Sequence, residues 1–312
     1  MQDNARKITY GATMIAFFAI LLAVSLYVPL LGSITMFLIP LPIILYRLRY
    51  DRASSLLVTA TGIMLSLLVG GVILAPFAFV LGLLGIVMGE TVSLGKTKLY
   101  TLMATGLTLL ITGTIVYVVA VFAFNFNVID EFFTTIDEAR EQMTSFMGTL
   151  GGLPDNYDKL MDSQIEFYQT AIPSLFIIGI FVLAFIYITL NFEFAARLGN
   201  KVPKFPPFHE MKLPVATVIV YGIVLLWSLF APAEPGTNFY LISINATIIF
   251  RFLFFLQGIS LVHHFVYKMK GPKVVTVMAT GFALILNPIT TMMGIFDTGM
   301  NIRAWIGKDK LK

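Results

Sequence analysis

The sequence contains no cysteine, and only 12% of its 312 residues are charged. Without cysteine the chain forms no disulfide bond and offers no thiolate, either as a nucleophile or as a ligand for zinc or an iron–sulfur cluster. The charged fraction is about half of the roughly 25% that is typical of soluble globular domains. These two shortages exclude disulfide-stabilised scaffolds and cysteine-based metal or redox sites, and they argue against a water-soluble fold.

The sequence is instead rich in long apolar runs. Apolar residues make up 58% of the chain, and several runs reach the length of about 18 residues that marks a membrane span. We therefore predict an all-α, polytopic helical membrane protein of the cell (plasma) membrane with eight transmembrane helices. A further apolar run, residues 274–296, contains Asn287-Pro288, which predicts a broken or re-entrant C-terminal segment. Gly70-Gly71 interrupts a run that has the length of two spans and predicts a hairpin of two helices.

Charged residues are unevenly distributed. Nine of the 17 acidic residues lie between positions 125 and 170, where apolar residues at three- and four-residue spacing predict two amphipathic helices. Basic residues cluster in short segments between the other apolar runs, which places those segments and the N-terminus in the cytoplasm and residues 125–170 outside the cell. We divide the chain into an N-terminal membrane domain of five spans (1–124), the extracytoplasmic helical pair (125–170) and a C-terminal membrane region (171–312). Basic residues placed in this way do not indicate binding to nucleic acid.

Enzymatic motifs are missing from the sequence. His209-Glu210 is not followed by the second histidine of a zinc-binding HExxH motif, and the adjacent His263 and His264 point about 100° apart on a helix. The sequence has no GxSxG nucleophile motif and no GxxxxGK[ST] phosphate-binding loop. We therefore expect a protein that is not an enzyme and that holds no metal or cofactor.

Arg251 is the most informative residue, because it stands inside the apolar run 239–267. A charge within such a run costs about 2.5 to 3.5 kcal/mol, so it usually faces a protein interior, a cavity or an interface. Arg251 precedes Lys268 by 17 residues, or about 25 Å of helix, which places it in the outer third of the membrane. There it can reach the headgroups or pair with an outer acid, or it can contact a ligand. Residues on one helical stripe form the predicted ligand-binding set: Arg251, Thr247, Ser243, Phe255 and Gly258.

Small residues on the first span predict a second surface. Ala12, Ala16, Ala19 and Ala23 follow one another at intervals of four, three and four residues, which places them on one stripe of the helix. Small side chains allow another helix to approach closely within a membrane. Another helix could therefore pack along this alanine stripe, although alanine is common in membrane spans and chance also produces such spacing.

Three motifs resemble those of the YybS-like family of bacterial multi-pass membrane proteins. They are the spacing Gly82-xx-Gly85-xxx-Gly89, the segment RFLFFLQG with Arg251, Gln257 and Gly258, and the ending GIFDTGMNIR with Gly294, Asp297 and Arg303. The resemblance covers essentially the whole chain. That family is similar in turn to the substrate-binding S components of energy-coupling-factor vitamin transporters and to the rod-shape protein MreD.

The resemblance implies one of two functions, both with the lipid bilayer as the surroundings of the protein. Like an S component, the protein would bind a small solute for an uptake system, with a coupling subunit and an ATPase as partners and the alanine stripe facing the coupling subunit. Like MreD, it would be a non-catalytic scaffold among proteins of cell-envelope assembly. S components usually have six spans and lack the acidic insertion. Arg251 lies in the part of the chain that exceeds those six spans, so the resemblance to S components gives it no role.

Overall fold

A computed structural model describes residues 2–149, 152, 154, 156–230 and 236–306. All regular structure in these residues is helical, and no strand occurs among them, which confirms the predicted all-α fold. Two 3-10 turns, Met36–Leu38 and Phe208–Glu210, accompany the α-helices. The α-helices are α1 (Gln2–Tyr27), α2 (Pro29–Thr35), α3 (Leu41–Arg49), α4 (Arg52–Ser93), α5 (Lys98–Phe124), α6 (Val128–Gly148), α7 (Tyr157–Arg197), α8 (Val215–Phe230), α9 (Asn238–Lys268), α10 (Lys273–Ile285), α11 (Asn287–Met300) and α12 (Ile302–Ile306).

The described part of the chain has six helical segments that are long and apolar enough to cross a membrane, so the fold is that of a polytopic membrane protein. A seventh crossing results if α10 and α11, which are bent by 104°, count as one span. The predicted total of eight is not confirmed, because α4 with 42 residues counts once and α8 has only 16 residues. The six segments are Asn4–Tyr27, Pro29–Arg49, Arg52–Ser93, Lys98–Phe124, Tyr157–Arg197 and Asn238–Lys268.

Helix α4 contains the hairpin that the sequence predicts. Its backbone leaves the helical conformation at Gly70 (φ −138°, ψ 15°) and Gly71 (φ 64°, ψ −157°), and residues with a side chain rarely adopt the positive φ of Gly71. The two halves of the helix then pack on each other, since a Cβ atom at Gly82 would meet the side chains of Thr59 and Ile63. The break is therefore confirmed at the predicted position.

The chain forms two compact units, of which the first comprises Met1–Phe146 and Gly179–Phe205. Near one end of α3, Arg47 and Glu90 form an ion pair with 2.7 Å between Nε and Oε2. Van der Waals packing of side chains is a main source of helix association in lipid, and the core of this unit is densely apolar. Its fully buried side chains include Phe18, Leu22, Ile43, Ile44, Leu84, Met88 and Phe192.

The second unit comprises Met147–Ile178 and Pro206–Lys312 and is built around α9, which contacts α8, α10, α11 and the 3-10 turn at Phe208. Helices α10 and α11 meet at Leu286, whose backbone is not helical (φ −91°, ψ 39°), and Pro288 lies in the first turn of α11. Proline cannot donate the hydrogen bond that would continue a helix. The predicted broken C-terminal segment is therefore confirmed.

Within the second unit, α9 also supports α7 next to Pro173. The side-chain amide of Asn245 accepts a hydrogen bond from the backbone nitrogen of Ser174 and donates one to the carbonyl oxygen of Thr170, both at 2.8 Å. Proline disturbs the hydrogen bonds of the helix around it. Asn245 thus binds two backbone groups beside Pro173 and holds α7 to α9 at this point.

The acidic region 125–170 contains the two helices that the sequence predicts. The first is α6, which leaves the apolar Phe132 and Phe146 59% and 61% exposed. The second is the beginning of α7, which runs on without interruption into the apolar span, so the predicted boundary at residue 170 lies inside a helix. Part of the predicted turn between the two helices, at residues 150, 151, 153 and 155, lies outside the described residues.

Candidate functional site

Helices α9 and α11 touch along their backbones. A Cβ atom at Gly258 would lie 2.0 Å from the carbonyl oxygen of Thr290, and one at Gly294 would lie 1.9 Å from that of Phe254. No side chain fits at such distances, and close approach of this kind increases the packing between membrane helices. The contact therefore fixes the position of α9 relative to α11 and, with it, the polar side chains nearby.

A buried polar cluster lies beside this contact. It consists of Gln257 and Ser260 from α9, Asp297 from α11 and Arg303 from α12, each at most 4% exposed. Asp297 Oδ2 accepts hydrogen bonds from Gln257 Nε2 at 2.5 Å and from Arg303 Nε at 2.9 Å. A buried carboxylate requires such partners, because removing an ion from water costs several kcal/mol.

Arg303 reaches Asp297 because the chain turns back after α11. The residue that caps α11, Asn301, has a left-handed backbone (φ 50°, ψ 56°) and leads directly into α12. Arg303 also donates from Nη1 to the carbonyl oxygen of His209 at 2.7 Å and from Nη2 to Ser260 Oγ at 3.0 Å. Three of its five N–H groups are thus bonded within the chain.

The polar cluster also holds the segment that precedes α8. The backbone nitrogen of Leu213 donates to Gln257 Oε1 at 3.1 Å, and Ser260 Oγ donates to the carbonyl oxygen of Phe208 at 2.7 Å. The other carboxylate oxygen of Asp297, Oδ1, is buried and has no hydrogen-bond partner among the residues described. An unsatisfied buried acceptor costs about 1–3 kcal/mol, so Asp297 depends on the bonds that Oδ2 makes.

A cavity of about 250 Å³ opens beside Arg303. The ring of His209 stacks on that of Tyr267 with 4.0 Å between centroids, and Lys212 Nζ donates to Asn301 Oδ1 at 3.1 Å. The cavity wall is therefore rich in basic groups that are held by the same elements as the polar cluster. Its lining residues are His209, Glu210, Lys212, His264, Lys268, Arg303 and Ala304. Within the described ranges, no three His, Cys, Asp or Glu side chains are grouped so that they could hold a metal ion.

Comparison with known proteins decides the family. The model of a family described as predicted membrane protein, DUF2232, matches residues 16–298. The chain belongs to the DUF2232 family. It is also similar to YybS, an uncharacterised protein of Bacillus subtilis (strain 168), with 27% identity over 306 residues that cover 96% of this chain and 98% of that one. The predicted resemblance to YybS-like proteins is confirmed, whereas the similarity to S components and MreD stays a prediction. No solved structure matches the chain.

In this DUF2232 protein, Arg251 lies on the exposed surface of α9, and no residue that the structure describes forms a hydrogen bond or ion pair with it. Thr247 and Phe255 are half-buried, whereas Ser243 and Gly258 are buried. The residues occupy one helix as predicted, but Arg251 is not part of the wall of the 250 Å³ cavity. Ligand binding by this set stays a prediction.

The alanine stripe of this DUF2232 protein is only partly covered. Ala12 and Ala16 are exposed, Ala23 is half-buried, and Ala19 is 8% exposed and packs in the first unit. The first half of the stripe is therefore accessible to another helix. Its use as an interface stays a prediction.

Sequence patterns assign no role to Gln257, Asp297 and Arg303, although all three stand in the motifs that resemble the YybS-like family. The signal that could reveal them is Asp297, because an acid near the end of an apolar run needs a partner, and Arg303 follows six residues later. The hydrogen bond from Gln257 to Asp297 depends on the packing of α9 on α11, which residue spacing alone does not show. The DUF2232 match includes Asp297 and ends before Arg303.

Proposed function

We propose that this DUF2232 protein binds a small polar or anionic solute and forms the S-component-like part of an uptake system, without catalysing a reaction itself. Arg251 carries the proposal: it is exposed on a 31-residue apolar helix and has no partner in the described part of the chain. A charge within a membrane-embedded helix costs up to about 2.5 to 3.5 kcal/mol, the value at the helix centre, and it is stabilised when another group compensates for it. An anionic or strongly polar solute supplies that group.

Neighbouring side chains of α9 suit the same role. Thr247 and Ser243 precede Arg251 by four and eight residues and offer hydroxyl groups on its side of the helix, while Phe255 follows by four residues and offers an aromatic ring. Gly258 anchors the end of this stripe against α11. A binding surface on a helix fixed in this way loses little conformational entropy when a ligand binds.

The proposal includes an orientation and partners. The N-terminus lies in the cytoplasm, residues 125–170 lie outside the cell membrane, and Arg251 lies in the outer third of the bilayer, where a solute arrives from outside. The support is the placement of basic residues in short segments and of acidic residues in the 125–170 region. A coupling subunit contacts the alanine stripe, and a separate ATPase supplies the energy.

The test compares ligand stabilisation of variants in lipid nanodiscs. We expect at least one anionic metabolite from a panel to raise the unfolding temperature of the wild-type protein and not that of Arg251→Ala. Arg251→Lys keeps the charge and should keep part of the effect. Arg52→Ala, which removes another exposed arginine at the start of α4, is the control and should behave like the wild type. Equal stabilisation of wild type and Arg251→Ala by every active solute would contradict the proposal.

A scaffold in cell-envelope assembly is the second candidate, because the exposed Ala12 and Ala16 are as available to an envelope-assembly protein as to a coupling subunit. Two small exposed residues four positions apart leave room for the helix of a partner protein. Photo-crosslinking from position 12 in native membranes distinguishes the two functions. Recovery of an ATPase and a coupling subunit supports uptake, whereas recovery of envelope-synthesis proteins, with no ligand effect, supports the scaffold.

A further inference from the structure

We propose that the cavity beside Arg303 binds a phosphate-type anion, either a free phosphate compound or the phosphate headgroup of a lipid. The cavity lies near the C-terminal end of α9, where Lys268 contributes to its wall, 17 residues after Arg251. This anion site is separate from the solute-binding stripe around Arg251. The anion site does not depend on solute binding at Arg251.

Charge is the first argument for the anion site. The lining residues include three basic side chains, Lys212, Lys268 and Arg303, and one acid, Glu210, so positive charge is in excess even with both histidines neutral. The negative charge of Asp297, which does not line the cavity, compensates the positive charge of Arg303. The other charged lining residues are two lysines and one acid, so the wall remains positive. A concave surface with low-dielectric walls concentrates such a field and attracts anions.

Unused hydrogen-bond donors are the second argument. Lys268 has no hydrogen bond or ion pair with the residues that the structure describes, and Arg303 keeps two of its five N–H groups. Both ring nitrogens of His264 are buried and the ring interacts with the backbone of His209, so they are not among the free donors. Phosphate oxygens accept strong hydrogen bonds from lysine and arginine N–H groups.

The size and rigidity of the wall are the third argument. A volume of about 250 Å³ is just below the roughly 300 Å³ at which sites for drug-sized ligands begin, so it suits a phosphate group with a small substituent. Lys212 is oriented by Asn301, the ring of His209 is stacked on Tyr267, and Arg303 is fixed by the polar cluster. A wall that is already ordered loses little entropy when an anion binds.

The test uses the full-length protein in nanodiscs and separates the two sources of phosphate. One arm titrates inorganic phosphate and pyrophosphate into nanodiscs of zwitterionic lipid, and the other replaces part of that lipid by phosphatidylglycerol. Lys212→Gln/Lys268→Gln removes two positive charges from the wall. Lys201→Gln/Lys204→Gln removes the same charge from two exposed lysines of the preceding loop and is the matched control.

We expect wild type and control to be stabilised alike in at least one arm. In that arm the affinity of the Lys212→Gln/Lys268→Gln protein should fall by about tenfold or more, because the protein loses charged hydrogen bonds. An effect of free phosphate assigns the site to a soluble compound, and an effect confined to phosphatidylglycerol assigns it to a headgroup. The anion site is overturned if the wild type responds in neither arm, or if the wall variant responds as the wild type does.

Lys268→Glu provides a second variant in case the double variant folds poorly. Lys268 is exposed at the end of α9, and within the described ranges it has no partner to lose. Reversal of its charge should therefore leave the unliganded protein folded and abolish the response to phosphate. A folded Lys268→Glu protein with unchanged phosphate affinity would count against the anion site.

Discussion

Asp297 and Arg303 form an ion pair with 2.9 Å between Oδ2 and Nε, and their side chains are only 1% and 3% exposed. The same carboxylate accepts a hydrogen bond from Gln257 on α9, and Arg303 binds the carbonyl oxygen of His209. Helices α9, α11 and α12 and the segment around His209 are therefore joined through one buried carboxylate. We therefore expect the stability of the second unit to depend on this pair.

Removal of one partner should destabilise the protein strongly. Asp297→Ala leaves the buried guanidinium without its counter-charge, and Arg303→Ala leaves the carboxylate without its own, so each should lower the free energy of unfolding by about 3–5 kcal/mol. Unfolding by urea or by mixed SDS micelles, followed by circular dichroism, measures the change.

Two variants control this prediction. Arg197→Ala breaks an ion pair with Glu193 in which both side chains are largely exposed, and it should change the free energy of unfolding by less than about 1 kcal/mol. The Asp297→Ala/Arg303→Ala protein should lose less than the sum of the single changes, because neither charge is left alone. A single variant no less stable than Arg197→Ala would show that the pair does not hold the unit together.

The contact between α9 and α11 gives a second prediction. Gly258→Ala and Gly294→Ala each place a methyl group against a backbone carbonyl oxygen, at 2.0 and 1.9 Å, and that backbone cannot move without separating the helices. We expect each change to cost about 3 kcal/mol or more, the upper end for overpacking, in the same unfolding measurements. Gly281→Ala, on α10 where a Cβ atom meets nothing within 4 Å, is the control and should be neutral or slightly stabilising. Equal stability of all three variants would argue against backbone contact.

Helix breaks were predictable because glycine and proline act on their own backbone. Gly70-Gly71 and Asn287-Pro288 change the chain direction where the sequence places them, whatever packs nearby. The continuity of α7 was not predictable. Pro173 and the change from acidic to apolar residues suggest a new helix. In the structure α7 runs through Pro173, and the amide of Asn245 on α9 binds its backbone there.

The polar cluster could not be predicted from local sequence patterns, because it also depends on contacts between separate helices. Its four side chains come from three helices, and Arg303 approaches Asp297 through a left-handed residue, Asn301, at the end of α11. Spacing along one helix does locate Arg251 and the residues beside it. It does not show whether another element pairs with Arg251, which depends on packing between distant segments.

Asn245 gives a third prediction. Asn245→Leu keeps the size of the side chain but leaves the amide of Ser174 and the carbonyl of Thr170 without the partner they share. Each unsatisfied group costs about 1–3 kcal/mol, so α7 should open locally around Pro173. Hydrogen–deuterium exchange of peptides covering residues 168–178 should become faster.

Ser228→Ala is the control for this prediction. It removes a hydroxyl bonded to its own helix and should leave exchange in those peptides unchanged. Unaltered exchange in Asn245→Leu would mean that the amide does not support the helix.

The fourth prediction concerns pH and the start of α4, where Asp51 is the N-terminal cap. A hydrogen bond from the Lys7 ammonium, and next the backbone N–H and hydroxyl of Ser54, hold the pKa of Asp51 well below its ordinary value of about 3.9. Because the folded protein binds the Asp51 proton more weakly than the unfolded chain, the stabilisation is complete above that ordinary pKa and is lost as the pH falls through the folded pKa.

Asp51→Asn keeps a good helix cap and removes only the charge. The difference in unfolding temperature between wild type and Asp51→Asn should stay constant from about pH 7 to 5 and shrink below about pH 4. In a Lys7→Gln background the difference should be smaller at neutral pH, and a pH-independent difference would rule out the ion pair as its source.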